Sequence, residues 1–281
     1  MSEAFLRWLS RRRLRTLHAM GAALGWLAWV LSPSYRRRLH ENAARAGVAA
    51  AARRASVAEA GRLVMELPRL WLRAGDQPIE DPVHWEGAEH VEAALGHAGG
   101  LVILTPHLGC FEMAAQSYAQ RYGARQPLTV LYRPARQAWL RTLEEAARAR
   151  PHLATAPATL AGVRQLLRAL KRGETIGLLP DQVPPQGQGT WAPFFGHPAY
   201  TMTLAARLAA QTGAPVLLLW CERLARGAGY VVRVQPLHAH WPEGDEAAAA
   251  FLNASMEQLI GQHPGQYLWG YHRYKSPRGA A

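Results

Sequence analysis

Lysine is almost missing from this sequence: of its 32 basic residues only Lys171 and Lys275 are lysines, and the others are arginines. The planar arginine fork suits phosphate, although a compositional bias of the genome produces the same pattern, so the preference alone assigns no ligand. Cysteine is scarce as well. Cys110 and Cys221 are too few for a disulfide framework or a zinc site of their own, which fits a reduced, cytoplasm-facing domain. Acidic residues number 20, leaving a net charge of +12 that calls for an anionic partner: nucleic acid, a phospholipid surface or an acidic carrier protein. The chain has no internal repeat, no Pro/Gly/Ser-rich linker and no recognised nucleic-acid motif.

What is present is apolar material for a core. The hydrophobic fraction is 49% and the charged fraction 19%, which marks a folded chain and not a disordered one. Its 281 residues suffice for one large α/β domain or two small ones.

The first forty residues differ from the rest. They hold eight arginines and one acid, Glu3, and between Arg15 and Arg36 lies AMGAALGWLAWVL, the thirteen uncharged residues Ala19 to Leu31. Crossing a bilayer core takes roughly 20 apolar residues, so this run is short for a span. A secretory signal peptide has the same charged-then-apolar order. Here, however, Ser32 to Tyr35 lead straight into three arginines without a small-x-small cleavage site. A soluble amphipathic helix covering a core is another reading. The pattern favours a retained membrane anchor over 1–40, tilted or lying in the interface, with Trp26 and Trp29 at headgroup level and the arginines on anionic lipid.

After residue 40 the periodicity is globular. Ser56 to Arg73 places Val57, Ala60, Val64, Leu67 and Trp71 at helical spacing, with Pro68 as a kink or break. LVILT, Leu101 to Thr105, reads as a buried strand ended by Pro106. Further strands are expected at Thr129–Tyr132, Thr175–Leu179, Pro215–Cys221 and Tyr230–Gln235. Helices are expected at Glu112–Arg121, Gln137–Arg150, Leu160–Arg172, Thr201–Thr212 and Glu246–Gly261. This alternation predicts a single α/β domain over 41–281, with a mixed, largely buried sheet flanked by helices and preceded by the N-terminal anchor helix.

The segment TPHLGCFE follows the first strand. His107 and Glu112 are five positions apart, about 140° of rotation on one continuous helix, so they meet only if His107 lies in the turn and Glu112 in the helix's first turn. Pro106 and Gly109 suit such a strand–turn–helix junction. A histidine held by a carboxylate is fixed in one tautomer and can take a hydroxyl proton as that hydroxyl attacks a carbonyl. Backbone N–H groups at the helix start are candidates for the oxyanion. Cys110 as an activated nucleophile is a competing reading, as is Cys110 as a small apolar packing residue. No further ligand cluster supports a metal.

These residues resemble those of the bacterial lipid A biosynthesis acyltransferases, a branch of the glycerophosphate/lysophospholipid acyltransferase superfamily. His107-Leu-Gly-Cys-Phe-Glu112 resembles its His-x4-Asp/Glu motif, departing from the branch's common form at Leu108, Cys110 and Phe111. Tyr132-Arg133-Pro134, Gly177-Leu-Leu-Pro-Asp181-Gln182, Pro193-Phe-Phe-Gly-His-Pro-Ala199, and Gln266-Tyr-Leu-Trp269 with Arg273-Tyr-Lys275 resemble its later blocks, in the same order.

The resemblance implies an O-acyltransferase. A fatty acyl thioester on acyl carrier protein would be the donor and a hydroxyl of a lipid A precursor the acceptor. His107 would be general base with Glu112 as its orienting partner. Arg133, Asp181, Gln182, Arg273 and Lys275 would bind substrate. No cofactor or metal is implied, no nucleic acid is expected, and the expected place is the cell inner membrane with the catalytic domain on the cytoplasmic side. An acyltransferase acting on a lysophospholipid or aminolipid would use the same core. A thioesterase, or a non-catalytic protein that binds anionic membrane, remains a further alternative.

Overall fold

The computed structural model describes residues 3–133, 150–237, 241–277 and 279. The chain opens with four helices: α1 (Glu3–Ser10), α2 (Leu14–Leu31), α3 (Pro33–Arg45) and α4 (Ala50–Trp71). Ser32 caps α3 by accepting the Tyr35 N–H, with Pro33 in the first turn. α2 lies along α4 at a distance that only glycine allows. A Cβ on Gly25 would stand 2.1 Å from the Val57 carbonyl oxygen, and one on Gly61 2.0 Å from that of Gly21. The apolar run of α2 is therefore half engaged: Leu14, Leu17 and His18 are buried, while Trp26, Leu27, Val30 and Leu31 stay exposed. Among the described residues no helix is long and apolar enough to cross a membrane. Residue 40, the expected limit of the anchor, falls inside α3.

The rest of the chain alternates strands and helices: β1 (Val83–Glu86), α5 (Ala88–Ala94), β2 (Leu101–Leu104), α6 (Phe111–Tyr122), β3 (Leu128–Tyr132), β4 (Leu153–Pro157), α7 (Leu160–Lys171), β5 (Thr175–Leu178), β6 (Gly189–Phe194), β7 (His197–Met202), α8 (Leu204–Thr212), β8 (Val216–Arg223), β9 (Tyr230–Pro236) and α9 (Asp245–Gln262). Seven strands form one sheet in the order β1-β9-β8-β2-β5-β3-β4. Every pair in it is parallel except β8 with β9. The expected mixed α/β sheet is thus present.

Side chains along a strand alternate between faces, and β2 shows it at the sheet centre. Val102 and Leu104 join a core with Leu166 of α7, Leu208 of α8 and Met256 of α9. Leu101 and Ile103 join a second core with Leu70 of α4, Val91 of α5 and Met113 of α6. Both faces are covered, so the strand reads as an unbroken apolar run.

Several boundaries differ from the sequence reading. Thr201 and Met202 belong to β7, and α8 begins at Leu204. Pro68 stays within α4, whose last helical residue is Trp71. Val64, placed in the apolar stripe, is 50% exposed, because the buried side of α4 turns toward α2 at Gly61. The helix expected at Gln137–Arg150 lies outside the described residues, apart from Arg150.

Candidate active site

β2 and β5 are adjacent and parallel, so the loops leaving their carboxyl ends emerge side by side, where α/β sites gather. One loop is Thr105–Cys110 and the other begins at Leu179. The first is a tight turn. Gly109 has φ +62° and lies so close to β8 that a Cβ would stand 1.9 Å from the Cys221 carbonyl oxygen, which requires glycine. The turn's backbone donors are all committed. His107 N–H donates to Asp181 Oδ2 at 2.9 Å. Leu108 donates to the Pro106 carbonyl, Gly109 to that of Gln266 and Cys110 to that of Cys221. α6 starts immediately after.

The two loops meet at His107. Its Nδ1 is 2.7 Å from Asp181 Oδ1, and Gln182 Nε2 is 2.9 Å from its Nε2. An ionised carboxylate only accepts, so Nδ1 is the ring's donor, and a neutral ring then carries its lone pair on Nε2. The amide nitrogen of Gln182 donates to that lone pair. The ring is thus held in the tautomer a general base requires, with the basic nitrogen turned away from Asp181.

Asp181 is 2% exposed. Burial alone raises its carboxyl, but the facing His107, the two hydrogen bonds from that residue and the Arg273 charge outweigh burial and hold it below the usual carboxylate range. Beside it, burial first and the Asp181 charge second push the Tyr267 phenol well above its ordinary value.

Glu112 takes another position. It is buried in the first turn of α6, where its charge acts on Arg150, whose guanidinium is brought down to about 10 by burial and then by Arg73. Arg150 in turn donates to the carbonyls of Leu70, Arg73 and Ala74 at the end of α4. Both ring nitrogens of His107 are engaged by the 181–182 loop, and the carboxylate on Nδ1 is that of Asp181.

A family model of the bacterial lipid A biosynthesis acyltransferases matches residues 4–276. The chain belongs to this family. Over 192 residues it is 27% identical to the lipid A biosynthesis palmitoleoyltransferase of Escherichia coli (strain K12), covering 68% of this chain and 61% of that protein. It is 26% identical over 196 residues to the lipid A biosynthesis lauroyltransferase of the same strain, covering 69% and 62%. With the lipid A biosynthesis acyltransferase of Haemophilus influenzae (strain ATCC 51907 / DSM 11121 / KW20 / Rd) the identity is 24% over 187 residues, covering 65% and 56%. The chain thus matches about three fifths of the length of these curated relatives.

The family blocks quoted from the sequence do not all converge on His107. Asp181 and Gln182 do. Arg133 is exposed just beyond β3. Arg273 is not a surface group: at 2% exposure it donates to the Tyr200 carbonyl, Thr201 Oγ1 and Asn253 Oδ1, and covers the Phe194 ring. Its structural place is a positive charge behind Asp181, not a group offered to a lipid phosphate. Lys275 is half-buried, its ammonium 5.0 Å from the Tyr271 ring centroid. Cys110 is fully buried, and burial pushes its thiol well above its ordinary value, which keeps it an unreactive thiol and a packing residue of α6's start. Among the described residues no group of three or more His, Cys, Asp or Glu stands together as metal ligands.

Two features escaped the sequence reading. Gln266 clamps β8: its side-chain amide accepts from Arg223 N–H and donates to Arg223 carbonyl, while its own carbonyl takes the Gly109 N–H. Behind it is a buried ion cluster. Arg223 is bidentate to Glu66 and also reaches Glu59, and His18 of α2 is 2.5 Å from Glu66. The turn bearing His107 is thereby connected to the N-terminal helices.

Proposed function

We propose that the protein transfers a fatty acyl chain from an acyl carrier protein thioester to a hydroxyl of a lipid A precursor, with His107 as general base. The observation that carries this reading is the His107–Asp181 pair, with Nε2 left as the basic nitrogen, in a member of this family. Family membership supports the acyl chemistry and the lipid A type of acceptor.

In this reading His107 Nε2 takes the proton of the acceptor hydroxyl as the oxygen attacks the thioester carbonyl. The tetrahedral intermediate collapses to the ester, and the imidazolium proton passes to the departing thiolate. Asp181 keeps the ring in register and stabilises the imidazolium. Glu112, buried in the first turn of α6 directly after the His107 turn, is a positioning residue for that turn. Of the basic residues named from the family blocks, Arg133 and Lys275 would meet a phosphate of donor or acceptor.

The N-terminal helices serve as an interfacial anchor. Phe5 and Trp8 of α1 and Trp26, Leu27, Val30 and Leu31 of α2 are exposed, and Arg12 and Arg36 stack on Trp8 and Trp29. Apolar side chains interleaved with arginine fit the headgroup boundary of an anionic leaflet. The place that follows is the inner membrane, with the catalytic domain on the cytoplasmic side, and the +12 charge favours an acidic carrier as well.

Labelled acyl carrier protein, presented with a tetra-acylated, phosphorylated lipid A precursor in detergent micelles, tests the reading. Label in the lipid A product supports it. Label only in a lysophospholipid or aminolipid supplied alongside would retain the chemistry and overturn the acceptor, and free fatty acid in place of ester would make the protein a thioesterase.

A further inference from the structure

The attack on a thioester puts negative charge on the carbonyl oxygen, and a donor must meet it. The turn beside His107 does not supply one. From His107 to Cys110 every backbone N–H is spent: on Asp181 Oδ2, and on the carbonyls of Pro106, Gln266 and Cys221. These four groups are therefore not the oxyanion donors; the helix start, which the sequence reading names for that role, begins beyond them at Phe111.

One uncharged side-chain donor stands against the basic nitrogen. Gln182 Nε2 is 2.9 Å from His107 Nε2, and the side chain is partly exposed beside the buried Asp181. That hydrogen bond occupies the place the acceptor hydroxyl must take, because a base abstracts a proton across roughly 2.6–3.2 Å. Once the hydroxyl binds, the amide is displaced by about the width of one oxygen. Once Nε2 is protonated it accepts no hydrogen bond, so the amide N–H stays off the ring for as long as the imidazolium lasts. Its N–H is then released beside the attacking oxygen, within reach of a thioester carbonyl presented there.

We propose that the side-chain amide of Gln182 is the oxyanion donor, held on His107 Nε2 in the resting site and released to the tetrahedral intermediate when the acceptor hydroxyl binds. This rests on the acyl-transfer reading above. The electron pair of the carbonyl moves to the oxygen that Gln182 meets, and returns when the carbon–sulfur bond breaks; the proton taken by His107 leaves with the sulfur. Gln182 neither gains nor loses a proton.

The test compares wild type with Gln182→Met, which keeps the length and lacks the donor, and Gln182→Glu, which keeps the shape and replaces the donor by an acceptor. Transfer from acyl carrier protein is measured as kcat and KM. Affinity for a phosphonate ester of the acceptor hydroxyl, a stable mimic of the tetrahedral anion, is measured by calorimetry. Both variants should lose about 10²- to 10³-fold in kcat with KM little changed, and affinity for the phosphonate should fall while affinity for the plain acceptor lipid holds. Wild-type kcat in Gln182→Met, a loss confined to KM, or undiminished phosphonate affinity in both variants would overturn the assignment. Absence of transfer by wild type to every acceptor offered would overturn the acyl-transfer reading itself and this assignment with it, and is seen before any variant is compared.

Discussion

Asp181 grips His107 twice, through Oδ1 on the ring Nδ1 at 2.7 Å and through Oδ2 on the backbone N–H at 2.9 Å. One contact sets the tautomer and the other sets the position of the turn. Asp181→Asn should keep the fold and lose the tautomer preference, lowering kcat by about 10²- to 10⁴-fold. Steady-state kinetics beside a thermal melt checks this. Near-normal kcat in a folded variant would remove Asp181 from the mechanism.

The buried Glu66 makes acid stability predictable in sign. Burial raises its carboxyl, but Arg223 and His18 outweigh burial and bring it from 4.5 to about 2. A lowered folded pKa gives stability that is complete above the unfolded value and is lost as pH falls through the folded one. Melting temperature should therefore decline between pH 4.5 and about 2 and less steeply in Glu66→Gln. The substitution itself should be destabilising at neutral pH, by less than the roughly 3–5 kcal/mol of a fully orphaned buried charge, since it removes the bidentate partner of Arg223 and leaves its contact with Glu59. Chemical denaturation at several pH values measures both effects.

Gly61 should tolerate no side chain. With a Cβ only 2.0 Å from the Gly21 carbonyl oxygen, Gly61→Val must force α2 off α4, at about 3 kcal/mol. Protease cleavage within residues 1–31 of the variant, at a dose that spares wild type, reports the separation. An unaltered melt and digestion pattern would contradict the packing.

How much of this was legible in the sequence depends on burial. β2, β3, β5, β8 and β9 lie in apolar, β-branched segments and were expected within a few residues. The missed β1 and β4 are the two edges of the sheet, where one side lacks a neighbour and the sequences VHWE and LATAP carry little apolar signal. β6 and β7 form a separate hairpin with Pro193 and Pro198 in it, residues that argue against a strand when read alone. His107 and Asp181 were both legible as strand-end residues. Their pairing was not, because it depends on β2 and β5 being neighbours, a fact of spatial order that spacing along the chain does not carry. Glu112 was assigned to His107 on proximity in sequence, whereas Asp181 and Gln182, which engage the ring nitrogens, lie 74 and 75 positions away. The Glu66–Arg223 pair spans 157 positions and leaves no local trace.

The exposed face of α2 predicts membrane behaviour separable from chemistry. Trp26→Glu with Leu27→Glu alters residues that are 38% and 54% exposed, so folding should be unaffected. Binding to vesicles rich in anionic lipid should drop about tenfold or more, read by co-sedimentation, while transfer in detergent micelles persists. Undiminished vesicle binding would place the anchor elsewhere.

The central claim, that Nε2 of His107 is the base of an acyl transfer, is tested most directly by single-turnover transfer from labelled acyl carrier protein to the phosphorylated lipid A precursor, with wild type and His107→Ala side by side. The account predicts labelled ester from wild type and a rate lower by about 10²-fold or more in a folded His107→Ala. Equal single-turnover rates in the two proteins would contradict it.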